Sequence, residues 1–273
     1  MSFWSGLAEV VGGIAFVFLP GAVIAYLTRR DLRYEVGTLL WGIGLMLVSL
    51  FAALFVTSLA LLPFGENAPP AVRALVGSLL TAIFLLGGMV LMLRYRHISE
   101  NKLIDEGLML GLGAGIVNRV FEGFGMMQDG FIIMISGEEA VRSANLQVQP
   151  LSTLLPGLLA LVIYRLGLVA VMAALGVIVA RSHREGMPLW LWLAIGLSTL
   201  TAWGYEMITL SLGTDSLTGI IVVIVYQGAL AAVALWWLRR QIASQTPPTK
   251  PIKQAAVDKA LAAQKASKTD SKA

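Results

Sequence analysis

Seven apolar runs, each long enough for a helix to cross a bilayer, limit this chain more than anything else in it. A hydrocarbon core about 30 Å thick needs about 20 residues of helix. The runs lie near Leu7–Leu27, Val36–Leu62, Val72–Leu93, Ile104–Phe124, Thr153–Ala180, Pro188–Leu212 and Leu217–Leu238. Within lipid every backbone N–H and C=O must be satisfied by the protein itself, so only helices and closed barrels can span. Continuous apolar runs, as against alternating ones, select helices. Only 13% of the 273 residues are charged and 57% are hydrophobic, where a soluble domain carries about 25% charge. The expected fold is all-α and integral to the membrane: seven transmembrane helices in residues 1–240. Residues 241–273, rich in Lys and Ala, are expected as a disordered cytoplasmic tail.

The loops between the runs alternate in charge. One side receives Arg29, Arg30 and Arg33, then Arg94, Arg96 and Lys102, then Arg181 and Arg184, then Arg239 and Arg240, and finally the tail lysines from Lys250 to Lys272. The other side holds Arg73 and Arg142 beside Glu66, Asp129, Glu138, Glu139 and Asp215. The positive-inside rule places the N-terminus outside and the C-terminus in the cytoplasm. Removing any one run would scramble the alternation. Trp41, Trp190, Trp192, Trp236 and Trp237 fall at the cytoplasmic ends, where indole prefers the headgroup level. The expected location is a cell membrane, multi-pass, of the bacterial inner-membrane kind.

Composition also excludes chemistry. Without cysteine there are no disulfides, thiolate metal sites or cysteine nucleophiles. The two histidines, His97 and His183, fall in loops between the runs, so no histidine metal site is expected inside the membrane. No metal and no cofactor is expected. The net charge of +4 is accounted for by span ends and tail, so nucleic acid is not an expected partner. No Lys or Arg precedes Arg29, so the first run lacks the basic start of a cleaved signal peptide. No internal repeat supports an inverted-repeat transporter.

The fourth run is the least apolar. Gly107, Gly111 and Gly115 recur every four residues and share one helix face, which lets a neighbouring backbone approach closely. Gly87 and Gly88 are the expected facing surface. Further along stand Asn118, Arg119 and Glu122, spaced three and four apart, so that they can meet. An ionised group near the bilayer centre costs roughly 2.5–3.5 kcal/mol, which calls for partners. Glu206, with Tyr205 beside it, comes out at a similar depth in the sixth run. Arg165 in the fifth lies roughly 9 Å deeper, by the rise of about 1.5 Å per residue. Asn118, Arg119, Glu122, Arg165, Tyr205 and Glu206 form the expected polar cluster: either a neutral latch between spans or a site for a polar ligand. Asp105 and Glu106 suit a helix N-terminus, and Glu9 an interfacial position. In the outer loop from Met126 to Leu151, the short apolar piece Phe131–Ile135 is expected as an interfacial or re-entrant turn.

The third run reads Ile83-Phe84-Leu85-Leu86-Gly87-Gly88-Met89, continuing to Arg94, and the fourth Gly111-Leu112-Gly113-Ala114-Gly115-Ile116-Val117-Asn118. With the stretch from Tyr164 through MAALGVIVARSHREGMPLWLWLAIG, this order resembles the YhfC-type family, assigned to intramembrane metalloproteases distantly related to the CAAX-processing glutamate proteases. The resemblance implies a seven- or eight-span scaffold. It would put the family's glutamate pair at Leu85 and Leu86, its arginine at Met89, and its histidine and second glutamate at Ala114 and Asn118. None of these side chains can bind metal or activate water as the family's would.

The expectation is a non-catalytic pseudoprotease: a membrane protein that binds a membrane partner or lipid, or serves as a subunit of a larger membrane complex. The alternatives are a transporter or channel-like protein using Arg119, Glu122, Arg165 and Glu206, and an active intramembrane peptidase.

Overall fold

The computed structural model describes residues 2–28, 36–63, 68–96, 98, 102–118, 120–135, 151–213 and 217–245. They fold as α1 (Ser2–Thr28), α2 (Val36–Leu61), α3 (Pro70–Tyr95), α4 (Leu103–Val117), α5 (Val120–Ile135), α6 (Leu151–Glu185), α7 (Pro188–Leu212) and α8 (Leu217–Gln245). Among the described residues there is no strand. By length and composition α2, α3, α6 and α8 can each cross a membrane. Met1–Leu235 forms one compact unit and Trp236–Ala273 a second. In the second, the guanidinium of Arg240 lies 4.3 Å from the Trp236 ring. Most of the expected tail, Arg119 and the loop arginines Arg29, Arg30, Arg33 and Arg142 lie outside the described residues.

The core of the larger unit is α4 and α6. Every residue from Gly167 to Ala180 is buried, and so is every residue from Leu103 to Gly115 except Asp105. Helices apolar on all sides pack inside other helices, and here glycine sets how closely. A Cβ on Gly107 would stand 2.5 Å from the Gly176 carbonyl oxygen, and one on Gly115 2.9 Å from the Val169 Cα. Gly111 meets the backbone of Met172 and Ala173 in between. The numbers fall along α6 as they rise along α4, so the two helices are antiparallel. The Gly107, Gly111 and Gly115 face thus abuts α6. It does not abut Gly87 and Gly88: Gly87 has nothing within 4 Å of a built Cβ, and Gly88 meets only Leu45.

The opposite side of α4 is equally close to α2. Gly113 abuts the backbone of Leu39, Gly42 and Ile43, and Gly42 abuts Leu110. Thr38 stands beside Glu106 and Gly42 beside Leu110, so α2 and α4 run the same way. A third glycine contact joins α1 to α5. Gly6 faces Gly130 and Gly13 faces Gly123, with Cβ-to-carbonyl separations of 2.6 and 2.7 Å, in antiparallel order.

The expected span Ile104–Phe124 is not one helix. At Asn118 the backbone turns out of the helical region (φ −54°, ψ 126°), and a new helix starts at Val120. Asparagine is among the weaker helix formers, and the carbonyls freed at a helix end must find other donors. Arg165 of α6 supplies one, donating from Nη2 to the Ile116 carbonyl. The piece Phe131–Ile135, expected as a separate turn, is the last part of α5.

Candidate functional site

The break at Asn118 opens onto a cleft of about 1340 Å³ between α2, α3, α6 and α7. Along α2 it runs from Met46 to Leu61, roughly 22 Å of helix. Its charged groups gather at one end: Arg73 of α3, Glu122 of α5 and Glu206 of α7, with Asn118. Below them come hydroxyl groups, Thr57 and Ser58 of α2, Ser78 and Thr81 of α3, and Thr201 of α7. The floor is apolar, with Met46, Leu50, Leu168 and Met172. Ser198, 6% exposed, faces the cleft roughly 12 Å below Glu206.

Most of these hydroxyls are held by their own helices. Ser58 donates to the Leu54 carbonyl (2.9 Å), Thr81 to Gly77 (2.8 Å) and Thr201 to Leu197 (2.7 Å), the usual back-bonding of Ser and Thr in helices. Thr57 differs: its Oγ1 is buried and has no hydrogen-bond partner among the described residues. The cleft mouth is braced by the Trp203 indole, which donates to the Ala71 carbonyl at 3.2 Å and ties α7 to α3. Tyr226 of α8 donates to the Leu200 carbonyl at 2.9 Å and lies over Gly204.

The residues of the expected polar cluster are distributed unequally. Asn118, Glu122 and Glu206 line the cleft together. Arg165 is fully buried, with its guanidinium on the Ile116 carbonyl and 5.4 Å from the Phe16 ring. Tyr205 stacks on Tyr164 at 4.2 Å. Tyr164 lines the cleft, whereas Tyr205 lines a separate cavity of about 320 Å³. The stacked rings stand between the two. That smaller cavity is where Glu9 of α1 and Asp129 of α5 are found, among Leu154, Leu158 and Val223.

No family model, curated protein or solved structure matches the chain. The site's own geometry therefore carries the functional reading. Leu85, Leu86, Met89 and Ala114 are each 0% exposed, sealed in helix contacts, and none of them lines the cleft. Among the described residues no three of Asp, Glu and His are grouped to hold a metal ion.

One polar site was not foreseen in the sequence. Glu106, 4% exposed, accepts a hydrogen bond from the Thr38 hydroxyl and pairs with Arg96 at 2.8 Å; Arg96 also donates to Thr38 at 2.5 Å. Expecting Glu106 to serve only the α4 N-terminus overlooked that α4 is enclosed by α2 and α6. A carboxylate on a helix with glycine contacts on two faces has little access to water and needs a cation. That inference was open to the sequence.

Proposed function

We propose that this protein is a non-catalytic membrane protein that binds a membrane-borne ligand in the cleft between α2, α3, α6 and α7. The observation that carries the reading is the placement of charge in the cleft: Arg73, Glu122 and Glu206 line one end, and no charged residue lines the other. Such an order suits an amphiphilic ligand or a segment of a partner membrane protein. The apolar residues at Leu85, Leu86, Met89 and Ala114 favour a pseudoprotease over a working relative of the YhfC-type family. Serving as a subunit of a larger membrane complex is the same reading with a protein as the ligand.

Seven crossings follow if α4 and α5 together make one broken span, joined by α1, α2, α3, α6, α7 and α8. The antiparallel pairs α1–α5 and α4–α6 and the like direction of α2 and α4 fit that count. The charge alternation then puts the N-terminus outside and the C-terminus in the cytoplasm, in a cell membrane of the bacterial inner-membrane kind.

Because the chain has no cysteine, a single Thr201→Cys carrying a benzophenone reports on the cleft alone. In native membranes it is expected to give a defined adduct, lipid or polypeptide, that disappears when Ala202→Trp fills the cleft. Adducts no different from those of the outward-facing Val48→Cys would overturn the reading.

A transporter is the second reading, favoured by the broken helix at the cleft: interrupted spans form many transport sites. It predicts solute or proton flux in liposomes that vanishes with Glu206→Gln. The expected latch joining Arg119, Glu122, Arg165 and Glu206 belongs here too. Arg165→Met should lower stability by about 1–3 kcal/mol, the cost of an abandoned buried hydrogen-bond partner. Pairing with Glu206 predicts that adding Glu206→Gln costs less than the sum of the single losses; strict additivity in thermal melts would remove the pairing.

A further inference from the structure

We propose that the occupant of the cleft is one zwitterionic glycerophospholipid, its headgroup at the charged mouth and an acyl chain along the apolar floor. This rests on the binding reading above and gives the ligand its chemistry. Three levels of the cleft match three parts of such a molecule. At the mouth both signs of charge are present, Arg73 on α3 opposite Glu122 on α5 and Glu206 on α7. Arginine suits a phosphate, and the carboxylates suit an ammonium. A purely anionic or purely cationic headgroup would set one of them against a like charge.

About one and a half turns deeper stands Thr57, whose hydroxyl is buried without a hydrogen-bond partner among the described residues. Leaving a buried hydroxyl unsatisfied is costly, and Thr57 is one of the residues that line the cleft. An ester carbonyl, an acceptor with no donor of its own, lies just below a phospholipid headgroup and would satisfy it. Ser78 of α3 lies at the same level. Ser58, Thr81 and Thr201 already donate their hydroxyl hydrogens to their own helices, so they offer little competition for that acceptor. Below this level the walls become mostly apolar, with Leu50, Leu168, Met172 and Met46 beside the hydroxyl of Ser198, and suit a hydrocarbon chain. A polypeptide helix would require no such gradient, since its polar backbone is satisfied internally.

The test uses the full chain, purified from nanodiscs containing equal amounts of phosphatidylethanolamine and phosphatidylglycerol, with retained lipid counted by native mass spectrometry. One phosphatidylethanolamine per protein is expected, with phosphatidylglycerol largely absent. Ala202→Trp should remove it. Thr57→Val, nearly equal in shape and so little threat to folding, should reduce it about fivefold, as loss of one hydrogen bond does. Arg73→Gln should weaken retention, and Glu206→Gln should shift it toward phosphatidylglycerol. Melting curves on each variant separate lost binding from lost folding. Equal retention of both lipids, or retention that neither Ala202→Trp nor Thr57→Val reduces, overturns the proposal. If the Thr201→Cys probe yields only a polypeptide adduct, the lipid is wrong and the binding reading stands. If it yields no cleft-specific adduct, both fail.

Discussion

Gly113→Ala is expected to be among the most damaging single-methyl additions to this chain. A methyl there would stand inside the van der Waals boundary of the Leu39 carbonyl oxygen, against the backbone of Gly42 and Ile43. The obstacle is main chain on a neighbouring helix, so no rotamer change can relieve it. Overpacking a tight core costs about 1–3 kcal/mol when side chains can adjust, and here two helices would have to separate. On the far side of α4 the Gly107 and Gly176 backbones leave no space for it to move into. Gly87→Ala provides the control: nothing lies within 4 Å of its Cβ, and alanine is preferred to glycine in a helix by about 0.5–1 kcal/mol. In thermal melts of detergent-purified protein, Gly113→Ala should lose its folded form or melt far below wild type, whereas Gly87→Ala melts at or above it. Equal melting temperatures would mean that α2 and α4 do not touch at this point.

Glu106→Leu should cost about 3 kcal/mol, in the range measured when one partner of a buried ion pair is removed. Its side chain is 6% exposed, whereas that of Arg96 is 30% exposed. The two ends of the pair therefore differ in what they lose. Removing Glu106 takes the acceptor from both Arg96 and the buried Thr38 hydroxyl. Arg96→Met should cost less, about 1 kcal/mol, because water still reaches that end. The double variant should cost less than the two losses added together. Equilibrium unfolding in mixed micelles measures all three. If Glu106→Leu costs no more than Arg96→Met, the carboxylate is as well hydrated as its partner.

Much of the helical layout was legible in the sequence, because hydropathy over 20 residues is a signal that no tertiary contact has to complete. The Gly107, Gly111 and Gly115 face was legible for the same reason: a period of four needs only one helix. Its partner was not. Nothing local distinguishes Gly87 and Gly88 from the Val169–Gly176 segment that α4 touches. The pairs Gly6 with Gly13 and Gly123 with Gly130 carry a matching seven-residue spacing, but nothing local to either pair names the other. The interruption at Asn118 was hidden because a helical continuation through Asn118 and Arg119 is locally permissible; the Arg165 donor that makes the break tolerable comes from α6, far along the chain. The cleft was hidden more completely. It is bounded by α2, α3, α5, α6 and α7, whose neighbourhood exists only after folding, and Thr57 becomes notable only when its hydroxyl is seen to lack a partner.

The glycine contact between α1 and α5 also sets an order of events during synthesis. Helix α1 has as its close partner a helix made on the order of a hundred residues later, which is about ten seconds at typical elongation rates. Until Gly123 and Gly130 arrive, the small faces of Gly6 and Gly13 lack the backbone they pack on. Helix α1 must therefore hold its helical form without that contact until α5 is made. The pairing of α1 with α5 therefore forms across every helix made between them.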